Sequence, residues 1–275
     1  MHENENRRRF LVLPASVQPI SHACGAFPRT KIGSSLSSRA LCFIGSGSSE
    51  EDSERMSSIA NGSAVVLPKG QHKATVIFLH GLGDQGDGWA DMFKSDMRSD
   101  HIKFICPHSA SRPVTLNMGM RMPAWYDLYG LDAASKEDDE GIAAAAKYVH
   151  DLIDSEISSG IPSEKIAVGG FSMGGALAIY SGLTYPQKLG AIVGLSSFFL
   201  QRSKFPGNYS ANLQTPIFLG HGTMDFLVPL PIGQLSQTLI KKFNPNVELR
   251  TYPMAHSSCP QEINDLKTFL DSKLL

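Results

Sequence analysis

The sequence predicts an α/β protein with a mostly parallel central sheet and helices on both faces. Three observations support this. Short β-branched apolar runs recur from about Ser63 to the C-terminus, helix-period segments lie between them, and turn residues punctuate the joins. Strand–helix alternation of this kind specifies parallel strands joined by crossovers.

The strand runs are Ala74–Leu79, Ile102–Cys106, Ile166–Gly169, Ala191–Leu195, Ile217–Leu219 and Val247–Tyr252. Most are near-continuously apolar, as strands buried on both faces must be. The first helix is read over Asp138–Ile157, where Ile142, Ala145, Ala146, Val149, Ile153 and Ile157 form one stripe at three- and four-residue spacing. Met173–Tyr185, Leu230–Phe243 and Gln261–Leu274 are the other predicted helices. Asp100, Pro107 and Gly160-Ile161-Pro162 mark element ends. No internal repeat is visible, so residues 58–275 read as one catalytic domain of the size a single core supports.

Residues 1–57 differ. Arg7, Arg8, Arg9, Arg29 and Arg39, many serines and the run Gly45–Ser53 carry no sustained apolar period, which predicts a disordered extension. Two other readings stand beside it. Arg and Ser richness resembles a mitochondrial transit peptide, although Glu3 and Glu5 sit where such peptides avoid acids. Met56, just before the pattern starts, also fits an upstream extension of the coding region.

Composition excludes several classes. The net charge of −1 supplies no field to gather nucleic acid or hold an anionic membrane. No apolar run approaches the roughly 18 residues of a membrane-spanning helix, so a soluble chain is expected. Cys24, Cys42, Cys106 and Cys259 show neither CxxC pairing nor metal-ligand spacing, and read as reduced thiols of an intracellular protein.

Gly170-Phe171-Ser172-Met173-Gly174 matches G-x-S-x-G. Alone, such a match arises by chance in roughly one chain in ten of this length. Here a predicted strand runs into it and a predicted helix follows, which is the strand–turn–helix setting of a nucleophile elbow in an α/β-hydrolase fold. A sharp turn that projects the Ser172 hydroxyl leaves no room for bulk nearby, hence the flanking glycines. The competing reading is a glycine-rich β–α turn with an ordinary serine.

A serine hydroxyl needs a base to take its proton. In this fold the order along the chain is Ser, then Asp or Glu, then His, each after a strand. His221 and His256 lie C-terminal to Ser172 at strand ends, and only His256 leaves room for an acid before it. That acid is Asp225, in His221-Gly222-Thr223-Met224-Asp225. Its role would be to fix the His256 tautomer and stabilise the imidazolium. The oxyanion of an acyl-transfer intermediate needs two donors. Met173 N–H and Leu82 N–H fit, the latter within His80-Gly81-Leu82-Gly83-Asp84.

At these residues the chain resembles the acyl-protein thioesterases and the related lysophospholipase-like carboxylesterases, through most of residues 64–275. The resemblance runs through His80–Trp89, Ile105-Cys106-Pro107-His108, Arg112–Met118, Met122–Asp127, Gly169–Ser172 and His256-Ser257-Ser258-Cys259. It implies hydrolysis of thioesters, chiefly palmitoyl-cysteine on proteins, with lysophospholipids and small esters as alternative substrates. It also implies a cytoplasmic location and no cofactor. At most transient contact with a membrane surface and no metal site are expected. Three positions depart from the family pattern. Met173 stands where animal members usually carry Gln, Thr223 where an acid is common, and Phe198 where Trp is common. Ser57 follows Met56 where self-palmitoylated members carry Cys. Leu82, Leu116, Trp125, Phe198 and Leu227 lie in loops suited to line an apolar trough for the acyl chain, with plain core packing as the competing reading of each. With no long insertion to form a lid, a shallow, open site is expected.

Overall fold

The computed structural model describes residues 62–131 and 135–275. The predicted extension over residues 1–57 lies outside them. Among the described residues, nine strands and five α-helices follow in chain order. They are β1 (Ser63–Val66), β2 (Ala74–Leu79), α1 (Gly86–Ser95), β3 (Ile102–Pro107), β4 (Ser111–Val114), β5 (Met120–Pro123) and α2 (Asp139–Ser158). Then come β6 (Ile166–Phe171), α3 (Met173–Thr184), β7 (Ala191–Leu195), β8 (Ile217–Gly222), α4 (Leu230–Ile240), β9 (Val247–Tyr252) and α5 (Pro260–Leu274).

Seven strands form one sheet in the order β1-β3-β2-β6-β7-β8-β9. Only the β1–β3 pair is antiparallel; every other pairing in this sheet is parallel. The strands β2, β7 and β8 are buried along their whole length, as their unbroken apolar sequences require. The edge strand β9 (VELRTY) is buried only at its two ends. Alternation along β2 sends Ile77 and Leu79 into one apolar layer with α2 and α3, and Val76 and Phe78 into another with α1 and α5. A third cluster joins Ile179 and Leu183 of α3 to Ile217, Leu219 and Ile240. The sheet is thus covered on both faces.

Capping and breakers set the helix ends. The Asp138 side chain accepts from Gly141 N–H, and Asp139 and Glu140 follow in the first turn of α2, where acids complement the helix dipole. The α2 stripe also buries Leu152 and Glu156. Glu156 is tolerated inside because Lys103 and the Thr75 hydroxyl each reach its carboxylate at 2.6 Å. Helix α3 is buried at every position from Met173 to Leu183, the all-round apolar pattern of a central helix. It stops at Thr184 because Tyr185 precedes Pro186 and is held extended. Helix α4 ends at Ile240, three residues before the predicted end, and α5 begins one residue early with Pro260 in its first turn, where the ring is tolerated.

Four elements are additional to those read from the sequence. Strand β1 has four residues and pairs only at the edge. Helix α1 carries Gly86 and Gly88 in its first turn, which masks the Trp89, Ala90, Phe93 stripe that it buries. The β4–β5 ribbon contains Pro113 and Pro123 and is largely exposed. Its turn runs through Met118 and Gly119, both at positive φ.

Glu262, in the first turn of α5, is fully buried, and neither carboxyl oxygen has a hydrogen-bond partner among the described residues. Its Oε1 fills the space a side chain at Gly220 would need. Burial raises its pKa to about 8, against about 4.3 in an unfolded chain. The folded state therefore holds this proton more tightly. The stability it contributes is complete below about pH 4.3 and is lost as pH rises toward 8. Glu262→Gln, an uncharged isostere, is expected to leave the melting temperature nearly unchanged at pH 5 and to raise it by several degrees at pH 9. Thermal melts at the two pH values check this, and equal shifts at both would refute it.

Candidate active site

The carboxyl ends of β6, β8 and β9 carry the three predicted side chains. Ser172 joins β6 to α3 with φ 53° and ψ −121°, a backbone region that a residue with a side chain enters only under strain of order 1–3 kcal/mol. Two bonds hold it there. Its N–H donates to Leu195 O at 2.8 Å, and its carbonyl accepts from Ala176 N–H at 3.0 Å. The flanking glycines are needed for close approach. A Cβ on Gly170 would strike the Gly174 backbone, and one on Gly174 would strike the Leu79 and His80 carbonyls at the end of β2.

His256 presents Nε2 to Ser172 Oγ at 3.0 Å and Nδ1 to Asp225 Oδ2 at 2.7 Å. The Phe171 ring packs beside the imidazole, with centroids 4.8 Å apart. The His256 side chain is 15% exposed, whereas that of Asp225 is fully buried. A buried carboxylate needs its lone pairs filled, and here they are: Oδ1 accepts from Leu227 and Val228 N–H, both at 2.9 Å, while Oδ2 faces His256. Burial works against ionisation of Asp225, but the His256 bond and charge together with the two amides outweigh it, so its pKa lies below the ordinary value. The carboxylate stays charged at neutral pH.

Backbone bonds tie the loops bearing Asp225 and His256 together. Thr223 N–H donates to Tyr252 O at 2.8 Å and Met224 N–H to Met254 O at 3.0 Å. His221, the rejected alternative base, is buried behind the pair. Its Nε2 bonds Val228 O at 2.7 Å, its ring abuts Gly233 of α4, and burial lowers its pKa. It braces the Asp225 loop from beneath.

The loop after β2 reaches the serine from the other side. A Cβ on Gly81 would lie 3.5 Å from Ser172 Cβ, and Gly83 takes φ 81°. Gly83 N–H donates to Pro123 O at 2.9 Å. Leu82 N–H makes no backbone hydrogen bond within the described residues. Met173 opens α3, so its N–H is one of the four amides that a helix leaves without an internal acceptor.

The loop residues predicted to line an apolar trough separate. Leu82, Leu116 and Phe198 are half-buried and pack on one apolar cluster, which also contains Trp125. Trp125 is itself buried, with Nε1 donating to His80 O at 2.9 Å. Leu227 sits in the Asp225 turn and lends that carboxylate its amide. A cleft opens between the segment after β5, the loop after β7 and α4, lined by Leu128, Leu131, Phe198, Leu200, Ile232 and Leu235. Of the predicted trough residues only Phe198 lines it. Ile232, Leu235 and Leu239 form a helix-period stripe that the core leaves partly uncovered, and that spacing was the available signal. Glu137 joins two walls of this cleft by accepting from Gln201 Nε2 at 2.7 Å and from its backbone N–H at 3.0 Å. Among the described residues, no three His, Cys, Asp or Glu side chains are placed to hold a metal ion, no helix is long and apolar enough to cross a membrane, and Cys106 and Cys259 are free.

Comparison with known proteins agrees with this fold. The family model described as Phospholipase/Carboxylesterase matches residues 60–274. An acyl-protein thioesterase 1 of Neurospora crassa is 43% identical over 232 residues, covering 80% of this chain and 95% of that protein. One of Gibberella zeae is 46% identical over 216 residues, covering 74% and 92%. The crystal structure of Zea mays acyl-protein thioesterase 2 superposes with a TM-score of 0.71 at 34% identity, covering 78% of this chain and 99% of that one. The residues matched by the family model span the whole seven-stranded sheet, Ser63 to Tyr252.

Asp225→Asn isolates the electrostatic part of the arrangement. The Asn oxygen would keep the Leu227 and Val228 amides, which turns its NH₂ toward Nδ1 and forces the imidazole proton onto Nε2, facing Ser172. The fold is expected to survive while kcat on a soluble thioester falls by about 10⁴-fold. A loss of less than about tenfold would remove Asp225 from the catalytic set.

Proposed function

The chain belongs to the phospholipase/carboxylesterase family, and from that premise we propose that it is a serine hydrolase cleaving acyl thioesters, chiefly palmitoyl-cysteine on S-acylated proteins. The observation that carries the reading is the continuous line from Ser172 Oγ through the His256 ring to a fully buried Asp225. The thioesterase names of the relatives at 43–46% identity support the choice of substrate.

In this reading His256 Nε2 takes the Ser172 proton as Oγ attacks the thioester carbon. The Leu82 and Met173 amides receive the oxyanion. The C–S bond then breaks, and the imidazolium returns its proton to the leaving thiolate, giving a free thiol and an acyl-serine. Water, deprotonated by the same imidazole, attacks the acyl-serine and releases the fatty acid with Ser172 restored. Asp225, held ionised, stabilises the imidazolium in both halves. Leu82, Leu116 and Phe198 would receive the proximal acyl chain, with Trp125 behind them and Leu227 at the Asp225 side. The reading assigns the protein to the cytoplasm, with at most transient contact with a membrane bearing the acylated substrate. No nucleic-acid partner or cofactor enters it. A second reading, lysophospholipase or general carboxylesterase, shares the same residues and is favoured by the family's own description.

Ser172→Ala is expected to abolish labelling by a fluorophosphonate probe; persistent labelling would overturn the assignment of the nucleophile. On one wild-type preparation, kcat/KM for a palmitoyl-peptide thioester is expected to exceed that for lysophosphatidylcholine. The opposite order would replace the thioesterase reading by the lipase one.

A further inference from the structure

We propose that His80 is a positioning residue for the oxyanion loop, acting as a permanently neutral imidazole whose Nδ1–H locks the Gly81–Leu82 peptide with the Leu82 N–H aimed at the reacting carbonyl. The inference rests on the hydrolase reading above and assigns a device within that site.

His80 is the first residue after β2 and is wholly buried. Two contacts fix its tautomer. Ser109 N–H, which can only donate, lies 3.1 Å from Nε2, so Nε2 must carry a lone pair. Gly81 O, which can only accept, lies 2.7 Å from Nδ1, so Nδ1 must carry the proton. An imidazolium would set an Nε2–H against the Ser109 N–H. Burial also lowers the pKa of this group, partly offset by the bond to Gly81 O.

The consequence falls on the next peptide. In a trans peptide the carbonyl and the following N–H point in opposite directions. Holding Gly81 O against the imidazole therefore turns Leu82 N–H away from His80, and Gly81 itself abuts Ser172. Something must impose this orientation. Gly81 and the left-handed Gly83 flank Leu82, and glycine leaves a peptide flip nearly unopposed. Asp84 N–H adds a longer bond to Gly81 O at 3.3 Å. The preceding peptide is held as well, since Trp125 Nε1 donates to His80 O at 2.9 Å. The indole also packs against the imidazole, with centroids 4.8 Å apart. Trp125 thus supports the peptide that precedes Gly81.

Three variants and one wild-type measurement test this. An Asn amide at position 80 can place its NH₂ near the Nδ1 position, whereas Gln reaches the Nε2 position and Ala reaches neither. His80→Ala and His80→Gln are expected to lower kcat by about 10–100-fold with KM within about twofold, and His80→Asn to stay within about fivefold of wild type. Affinity for a trifluoromethyl-ketone acyl analogue, which forms the tetrahedral oxyanion on Ser172, should fall in step with kcat/KM. Equal effects of Asn and Gln, or a loss confined to KM or to the fraction of sites titrated by fluorophosphonate, would overturn the proposal. Should all three variants misfold, ¹⁵N-histidine NMR of the wild type decides. A neutral Nδ1–H tautomer for His80 from pH 5 to 9 supports the proposal, and an Nε2–H or imidazolium signal refutes it. Failure of the hydrolase reading would be seen separately, as a wild type that neither hydrolyses acyl substrates nor labels at Ser172.

Discussion

The structure depends on a single close approach, that of the first turn of α3 to the end of β2. It places Gly174 against the Leu79 and His80 carbonyls and Gly170 against Gly174 itself, with no room for a methyl group at either contact. Because backbone meets backbone there, Ser172 can be held at a positive φ between β6 and α3, and the two loops that flank its hydroxyl come within reach. The strain is offset by the surroundings: α3 is buried along nearly its whole length, and β6 lies between two parallel neighbours. A strained residue persists only where such packing over-determines it.

Around that point one carboxylate and two imidazoles each have fixed partners. Asp225 is charged and its oxygens are filled by two amides and an imidazole. Burial lowers the pKa of both His221 and His80, and each ring is spent on a backbone carbonyl, Val228 O and Gly81 O respectively. Glu262 follows a different rule. It sits near a helix N-terminus, which favours a carboxylate, but desolvation is the larger influence and keeps it protonated near neutrality.

Much of this was legible in the sequence, for identifiable reasons. The six core strands are apolar runs with clean punctuation, and their register brings Ser172, Asp225 and His256 to one edge of the sheet. The ring that the order rule selects, His256, is the one that meets Ser172, while His221 bonds Val228 O. What was not legible depends on tertiary contact. Helix α1 hides behind two glycines, β1 acquires its strand character only from pairing with β3, and the ribbon has no apolar period. Trp125 reads as a pocket aromatic because nothing in the sequence tells that its N–H meets His80 O across 45 residues. His80 itself reads as part of a glycine-rich turn, since the partner that fixes its proton, Ser109, is 29 residues away.

The bonds from Thr223 to Tyr252 and from Met224 to Met254 set Asp225 and His256 on one platform, built from the last two strands of the sheet. Ser172 stands between β6 and α3, and β7 joins the two parts through its pairing with β8 and the Ser196 N–H bond to Gly220 O at 2.8 Å. One continuous run of parallel strands thus sets the 3.0 Å approach of the His256 ring to the Ser172 hydroxyl, so that distance belongs to the sheet and not to any one loop.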